Sequence, residues 1–308
     1  MNSIKVFSPA SVSNVCCGFD VLGFSIDGFG DELIITESNS NKVNIIKVNG
    51  YEVPLTNEMN TAYVASRSLL DFLNNDSGFD IEINKNIKPG SGIGSSAASA
   101  VGAVYGINEL LGRPLKKQEL LKFAMQGEFV SSKTAPADNV ASSLYGGLIL
   151  VNNRENYNVI ELPVPKNLYA IIHHPLLEIK TSDSRRFLPE KVDLKIVSEQ
   201  LASIGGFVHS LHTGNFDLMR LILKDYLVEN YRAKQVPFFK KIKNISESNK
   251  AICCSISGSG PSVFSLVKNY NEAIKLKSKF DEIYVKNSVE FNSYITGLNA
   301  KGVHTLWN

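Results

Sequence analysis

The chain has 308 residues, 44% of them hydrophobic and 20% charged, so it is long and apolar enough to fold around a large core. Its 32 basic and 30 acidic side chains leave a formal net charge of +2, which argues against a general nucleic-acid or membrane binder. No apolar run is long enough to span a bilayer and the first residues lack a signal-peptide pattern, so we expect a cytoplasmic protein.

The first half of the chain carries strand and helix patterns in mixed order. "SIKVFS" is typical of a short strand, and "DELIITES" and "KVNIIKV" alternate like half-exposed strands that could pair. "NTAYVASRSLLDFLNN" has helical spacing, and "GFDIEINKNI" predicts a strand with Phe79, Ile81 and Ile83 on one face. A helix follows over "SSAASAVGAVYGINELLG", ended by Gly112, and then come a second helix, "KKQELLKFAMQGEFVSS", and a buried strand, "LYGGLILVN".

The proline-flanked segment "ELPVPKN" interrupts this pattern and predicts a domain boundary near Pro165, with domains over 1–165 and 166–308. Beyond it we expect a strand ("LYAIIHH"), a long helical region over 193–247, two strands around the turn "GSGP", a helix, and a last strand near "EIYVKNS". Because strands and helices do not strictly alternate, the pattern favours an α+β fold over a doubly wound sheet.

The stretch "PGSGIGSSAASA", residues 89–100, has glycine at every second position immediately before a helix. The first turn of a helix presents unsatisfied N–H groups and the positive end of the helix dipole, and a glycine-rich approach lets an anion come close. Ser95 follows Gly94 where a P-loop needs lysine, and the alternating strand before the stretch does not fit a dinucleotide fold. A phosphate cradle and simple close packing of small residues both remain open at this point.

Two further stretches combine small and polar residues with turn signals. "SPASVSNVCCGFDVLGFSI" carries Asn14 and Asp20, and "CSISGSGPSVF" places a glycine-rich turn between two strands. Taken singly, the first is compatible with a simple turn and the second with a tight hairpin.

In this order, "PAS…N…GFDVLG", "PGSGIGSSAA" and "SGSGPSVF" resemble the three motifs of the GHMP kinases, and the resemblance spans nearly the whole chain. It implies an N-terminal ATP-binding domain with a left-handed β-α-β unit, a ferredoxin-like C-terminal domain, ATP and Mg²⁺ as cofactors, and a homodimer. A left-handed crossover departs from the usual handedness of such units, so periodicity does not predict it.

Four stretches are similar to the homoserine kinases of that family: "NVCCGFDVLG", "GEFVSSKTAPADNVASSLYGG", "TSDSRRFLP" and "KDYLVENYR". The similarity implies ATP-dependent phosphorylation of the L-homoserine hydroxyl, a step of threonine biosynthesis. Two alternatives stay open: a kinase for another small alcohol, such as mevalonate or shikimate, and a non-catalytic ligand sensor of the same fold.

The resemblance assigns the amino-acid substrate to both halves of the chain. Arg185 and Arg232 hold the carboxylate, as suits the planar donor fork of arginine, and Asp20 holds the ammonium group. The residues that orient the substrate, including its hydroxyl, are Asn14, Asn139 and, in support, Thr181. Asn139 stands at the catalytic position where mevalonate kinases have aspartate, which leaves the general base open, with Asp138 as an alternative.

The resemblance also assigns the nucleotide and the metal. The triphosphate is wrapped by the loop, and Asn60 adds a weaker nucleotide contact; the loop residues are Pro89, Gly90, Ser91, Gly92, Ile93, Gly94, Ser95 and Ser96. Ser95 and Glu128 hold Mg²⁺ and share the catalytic role with Asn139, while Gly258 and Gly260 close the site. Pro136 departs from the pattern, because homoserine kinases usually have histidine there.

Overall fold

The computed structural model describes residues 2–55, 57–132, 137–153 and 158–307. The strands are β1 (Ser3–Ser13), β2 (Leu22–Ser38), β3 (Val43–Gly50), β4 (Gly78–Lys85), β5 (Leu148–Asn153), β6 (Asn158–Leu162), β7 (Tyr169–Pro175), β8 (Cys253–Ile256), β9 (Val263–Val267), β10 (Phe291–Gly297) and β11 (His304–Trp307). The helices are α1 (Thr61–Phe72), α2 (Ser95–Leu110), α3 (Leu121–Ser132), α4 (Ala137–Tyr145), α5 (Thr181–Arg185), α6 (Leu194–Thr213), α7 (Phe216–Ile222), α8 (Glu229–Arg232), α9 (Phe239–Ser248) and α10 (Tyr270–Lys286). This mixed order confirms the α+β class, and no helix in these ranges is long and apolar enough to cross a membrane.

The first sheet has the strand order β11-β1-β2-β4-β3, and β5 extends it by pairing with both β2 and β6. β2 lies antiparallel to β1 and β4, whereas β3 and β4 are parallel. The expected pairing of β2 with β3 is therefore wrong, because β4 lies between them. Parallel neighbours need a crossover connection, and α1 supplies it between β3 and β4.

Helix α2 packs against β1 and β2, and 12 of its 16 residues are buried. Small residues permit this close approach: a Cβ added at Gly102 would lie 2.5 Å from Leu33 Cδ1. The core beneath the helix is formed by Val6, Leu33, Ile35 and their neighbours. Close packing thus explains the small residues of the helix itself, while the glycines before it need another explanation.

The second sheet is antiparallel, in the order β10-β7-β9-β8, with α9 and α10 packed beside it. The last strand expected at "EIYVKNS" is wrong, because most of these residues complete α10, whose buried side chains recur at helical spacing. The chain then returns to the first sheet, where β11 pairs with β1. The division at residue 165 stays a prediction. β11 comes after that residue in the chain but pairs with β1, so both halves of the chain contribute strands to the first sheet.

Candidate active site

A cleft of about 410 Å³ is lined by residues from both halves of the chain. The three stretches singled out in the sequence are hydrogen-bonded to one another beside it. Ser11 N–H donates to the Ile93 carbonyl (3.1 Å), and Ser262 N–H donates to the Ser91 carbonyl (3.3 Å). Gly258 N–H also donates to the carbonyl of Ser13 (3.4 Å). The backbone therefore fixes the glycine-rich loop between the N-terminal and C-terminal stretches.

The glycine-rich loop has a backbone that other residues rarely adopt. Gly90, Gly92 and Gly94 have φ values of +66°, +77° and +72°. A Cβ at Gly92 would lie 2.6 Å from the carbonyl oxygens of Ser257 and Gly260, so the loop can approach the C-terminal turn only as glycine. Gly94 is the N-cap of α2, and no side chain caps this helix. Its first N–H groups are thereby left for an anion in the cleft.

Most of the residues assigned to the nucleotide line the cleft, and two do not. The side chain of Ile93 is buried in a hydrophobic core with Val12 and Phe24, and Gly260 faces Val236 and Ile256. Asn60 lines the cleft, but its Oδ1 accepts the N–H groups of Ala62 and Tyr63 at the start of α1 (3.0 and 3.2 Å). Its amide group also donates to the Pro54 carbonyl, so Asn60 holds the cleft wall as well as facing it.

Ser95 and Ser96 both line the cleft, but their hydroxyl groups have different partners. The Ser96 hydroxyl donates to Glu128 Oε2 (2.6 Å), whereas the Ser95 hydroxyl donates to the Ile87 carbonyl (2.8 Å) behind the loop. No group of three or more histidine, cysteine, aspartate or glutamate side chains suited to a metal occurs in the described ranges. Two protein oxygens beside the uncapped start of α2 nevertheless fit Mg²⁺, which can take its other oxygens from phosphate and water.

The other end of the cleft holds Asn14, Asp20 and Arg185. Arg185 Nη2 donates to Asp20 Oδ1 (2.7 Å), and Asp20 N–H donates to Asn14 Oδ1 (3.1 Å). Asn14 Nδ2 in turn donates to the carbonyl of Gly258 (3.0 Å). Both Asn14 and Asp20 have left-handed backbone conformations, with φ of 71° and 61°. The loop from 14 to 20 therefore places the Asp20 carboxylate and the Asn14 amide together at this end of the cleft.

Arg232 completes this end of the cleft from α8. Its side chain is buried, Nη1 donates to the Gly258 carbonyl (2.6 Å), and the Phe19 ring lies near both guanidinium groups. Burial, and then the charge of Arg185, lowers the pKa of Arg232. Within the described residues the buried Nε atoms of Arg185 and Arg232 have no hydrogen-bond partner. Two close guanidinium groups with spare donors form a site for a carboxylate.

Asn139 and Thr181 also line the cleft. Asn139 Nδ2 donates to Ser13 Oγ (3.0 Å), and its Oδ1 accepts from Ser11 Oγ (2.8 Å). The Thr181 and Ser259 hydroxyls are 3.5 Å apart. All the residues assigned to the substrate thus line one cleft, while Pro136 lies outside the described residues.

A buried ion pair beneath the loop was missed by the sequence analysis. Lys85 Nζ donates to Asp31 Oδ2, to the Ser95 carbonyl (2.6 Å) and to Ser99 Oγ (2.9 Å), and Lys85 lines the cleft floor. Lys85 continues the apolar face of β4, two residues beyond Ile83, and Asp31 holds the same position before Leu33 in β2. A charged residue at an inward position of each neighbouring strand was the available signal.

Comparison with known proteins places the chain in a family. The family models described as "GHMP kinases N terminal domain" and "GHMP kinases C terminal" match residues 60–147 and 207–286. The homoserine kinase of Chlorobium phaeobacteroides (strain BS1) is 33% identical, over 99% of this chain and all of that protein. The homoserine kinase of Pyrococcus abyssi (strain GE5 / Orsay) is also 33% identical, over 96% of this chain and 98% of that protein.

A solved structure agrees with these relatives. The crystal structure of homoserine kinase from Cytophaga hutchinsonii matches with a TM-score of 0.95 and 40% identity, over 99% of this chain and 98% of that one. The resemblance carried by the three motifs, and the two-domain fold it implied, are therefore confirmed. This chain belongs to the GHMP kinase family.

Proposed function

We propose that the protein is a homoserine kinase, which transfers the γ-phosphoryl group of ATP to the hydroxyl of L-homoserine. The observation that carries this proposal is the pairing of two sites in one cleft: an uncapped helix N-terminus at one end, and two arginines with spare donors beside Asp20 at the other. The first suits a triphosphate, and the second suits an amino acid. Full-length relatives with the same name support the assignment.

The phosphate end of the cleft supports ATP as donor. The N–H groups that open α2 and the glycine-rich loop bind the phosphates, and the dipole of α2 favours their negative charge. Apolar side chains at the outer wall, Val53, Pro54 and Met59, line a surface for the adenine ring. Positioning and charge neutralisation are what phosphoryl transfer asks of a protein.

Ser96 and Glu128 are the residues that would hold Mg²⁺, and their 2.6 Å contact beside the loop supports this set over Ser95. Bound Mg²⁺ supplies charge neutralisation at the phosphates. Ser95 keeps a positioning role, because its hydroxyl ties the first turn of α2 to Ile87.

The substrate end of the cleft supports an amino acid with a terminal hydroxyl. Arg185 and Arg232 bind the carboxylate, and Asp20 binds the ammonium group. Asn14 and Asn139 direct the hydroxyl toward the loop, since Asn139 lies between Ser11 and Ser13 beside Gly94. Thr181 closes this end at the start of α5.

ADP release tests the proposal, with Mg·ATP and, separately, L-homoserine, mevalonate, shikimate and galactose. We expect turnover with homoserine alone. Arg232→Leu serves as the site variant, and Arg220→Leu, which removes an arginine bonded to Lys250 and Ala251 outside the cleft, serves as its control. Turnover with another alcohol would overturn the assignment of homoserine as the substrate. ATP binding without turnover would favour a non-catalytic ligand sensor.

A homodimer belongs to the same proposal. Leu194, Leu201 and Leu221 on α6 and α7 are 82%, 63% and 68% exposed, which supports a covered face on these helices. Sedimentation of the purified protein, with Leu201→Glu as the variant, tests the assembly. The cytoplasmic location stays a prediction.

A further inference from the structure

Asp138 is a buried carboxylate on the wall of the cleft. It lies in the first turn of α4, its residue is 1% exposed, and it lines the cleft beside Asn139 and Asn14. Its Oδ2 accepts the N–H of Asn14 (3.3 Å), and its Oδ1 accepts the N–H of Asn139 (2.9 Å). The carboxylate is thus fixed between the two residues that direct the substrate hydroxyl.

The charges around Asp138 come from the loop before β2 and from two helices of the second half of the chain. Asp20 faces it from the loop, Arg185 from α5, and Arg232 from α8. Burial, and then the negative charge of Asp20, raises the pKa of Asp138 to about 7, and Arg185 opposes part of this rise. A carboxylate that takes up a proton near neutral pH is matched to proton transfer.

Neither Asn139 nor Glu128 can take this part. An amide does not accept a proton at neutral pH, and both polar atoms of Asn139 are held by Ser11 and Ser13. Glu128 accepts the Ser96 hydroxyl at the metal pair. Asp20 is paired with Arg185, whereas Asp138 lies between the two asparagines, with lone pairs that two backbone donors do not exhaust.

We propose that Asp138 is the general base of the transfer, accepting the hydroxyl proton of homoserine; this inference rests on the function proposed above. As the hydroxyl oxygen forms its bond to the γ-phosphorus, the bond from that phosphorus to the β,γ-bridging oxygen breaks. The bridging oxygen keeps the electron pair and leaves with ADP. The proton passes to the Asp138 carboxylate, which later loses it to solvent.

The test is the pH dependence of ADP release by the whole protein with Mg·ATP and L-homoserine. We expect the kcat/KM of the unmodified protein to fall on the acid side of about pH 7. Asp138→Asn should lower kcat by about 100-fold or more, since general bases typically contribute about 10²–10⁴-fold, with a smaller change in the KM for homoserine. Added formate should restore activity to Asp138→Ala.

Glu229→Gln is the matched control, because burial also raises the pKa of Glu229 but its side chain lines a different cavity. The kcat/KM of Glu229→Gln should fall at the same acid pH as that of the unmodified protein. Three results would each overturn the proposal: a flat wild-type profile down to about pH 5.5, an Asp138→Asn variant within about threefold of normal kcat, or a variant changed in KM alone.

If Asp138→Asn does not fold, the pH profile of the wild-type protein and the rescue of Asp138→Ala by formate decide whether Asp138 is the general base. A wild-type protein that releases no ADP with homoserine refutes the proposed function itself. Normal turnover with an unaffected Asp138→Asn refutes only the role of Asp138.

Discussion

Lys85→Met and Asp31→Asn each remove half of the ion pair beneath the glycine-rich loop, and both should destabilise the fold strongly. The two residues are 1% and 0% exposed, and removing one partner of such a pair typically costs about 3–5 kcal/mol. Lys85→Met should fall near the lower value, because the Asp31 carboxylate keeps donors from Asn86 N–H, Ile87 N–H and Ser99 Oγ.

Asp31→Asn should cost more than Lys85→Met. It removes the negative charge that neutralises the buried ammonium group, and it turns a new amide donor toward existing donors, because both Asp31 oxygens accept hydrogen bonds. Burial already lowers the pKa of Lys85 despite the adjacent Asp31. Without Asp31, the folded state binds the Lys85 proton less tightly than the unfolded chain does. The loss in free energy of unfolding caused by Asp31→Asn should therefore shrink as pH rises toward about 10.

Urea unfolding of both single variants and the double variant measures these costs. The double variant should be less unstable than the sum of the singles by about 1–3 kcal/mol, since neither charge is then left alone. Lys5→Met is the control, because its pair with Glu32 (2.8 Å) is partly exposed and should be worth less than about 1 kcal/mol. The prediction would be wrong if Lys85→Met and Asp31→Asn each lowered the free energy of unfolding no more than the control does. It would also be wrong if the two losses simply added in the double variant.

Three further predictions concern the cleft. Ser96→Ala and Glu128→Gln should raise the Mg²⁺ concentration needed for half-maximal ADP release, whereas Ser95→Ala should leave it unchanged and lower the melting temperature; the opposite pattern would restore Ser95 as a metal ligand. Arg232→Leu should raise the KM for homoserine by about 10–100-fold, with less effect on the KM for ATP, and equal effects on both in steady-state kinetics would contradict the assignment. Gly92→Ala should weaken ATP binding in calorimetry, because its Cβ meets two carbonyl oxygens; normal affinity would contradict the assigned loop geometry.

The fold class and most of the cleft were predictable, because they depend on local patterns and on motifs that stay intact in the sequence. The order of the first sheet was not, because the alternation of β2 and β3 is the same whether or not β4 separates them. The C-terminal end of α10 was mistaken for a strand because "EIYVKNS" is short and apolar enough for either, and only the buried spacing of Phe280, Ile283 and Tyr284 decides.

Within the site, the sequence did not predict the direction in which individual side chains point. Ser95 and Ser96 are neighbours, and sequence alone does not say which hydroxyl faces Glu128 and which faces Ile87. The helical turn decides this, because successive residues point about 100° apart. The pairing of Lys85 with Asp31 was available from the alternation of their strands but has no motif to mark it.

The substrate end of the cleft belongs to neither half of the chain alone. The Gly258 carbonyl accepts both Asn14 Nδ2 and Arg232 Nη1, so a single C-terminal oxygen fixes one substrate residue from each half. The N-terminal loop also needs this support, because Asn14, Val15, Cys16 and Asp20 hold left-handed conformations that side chains rarely adopt. Such strain persists only where the surroundings hold it, and Gly258 supplies part of that hold. The proposed carboxylate and ammonium sites therefore form only when both halves are folded against each other.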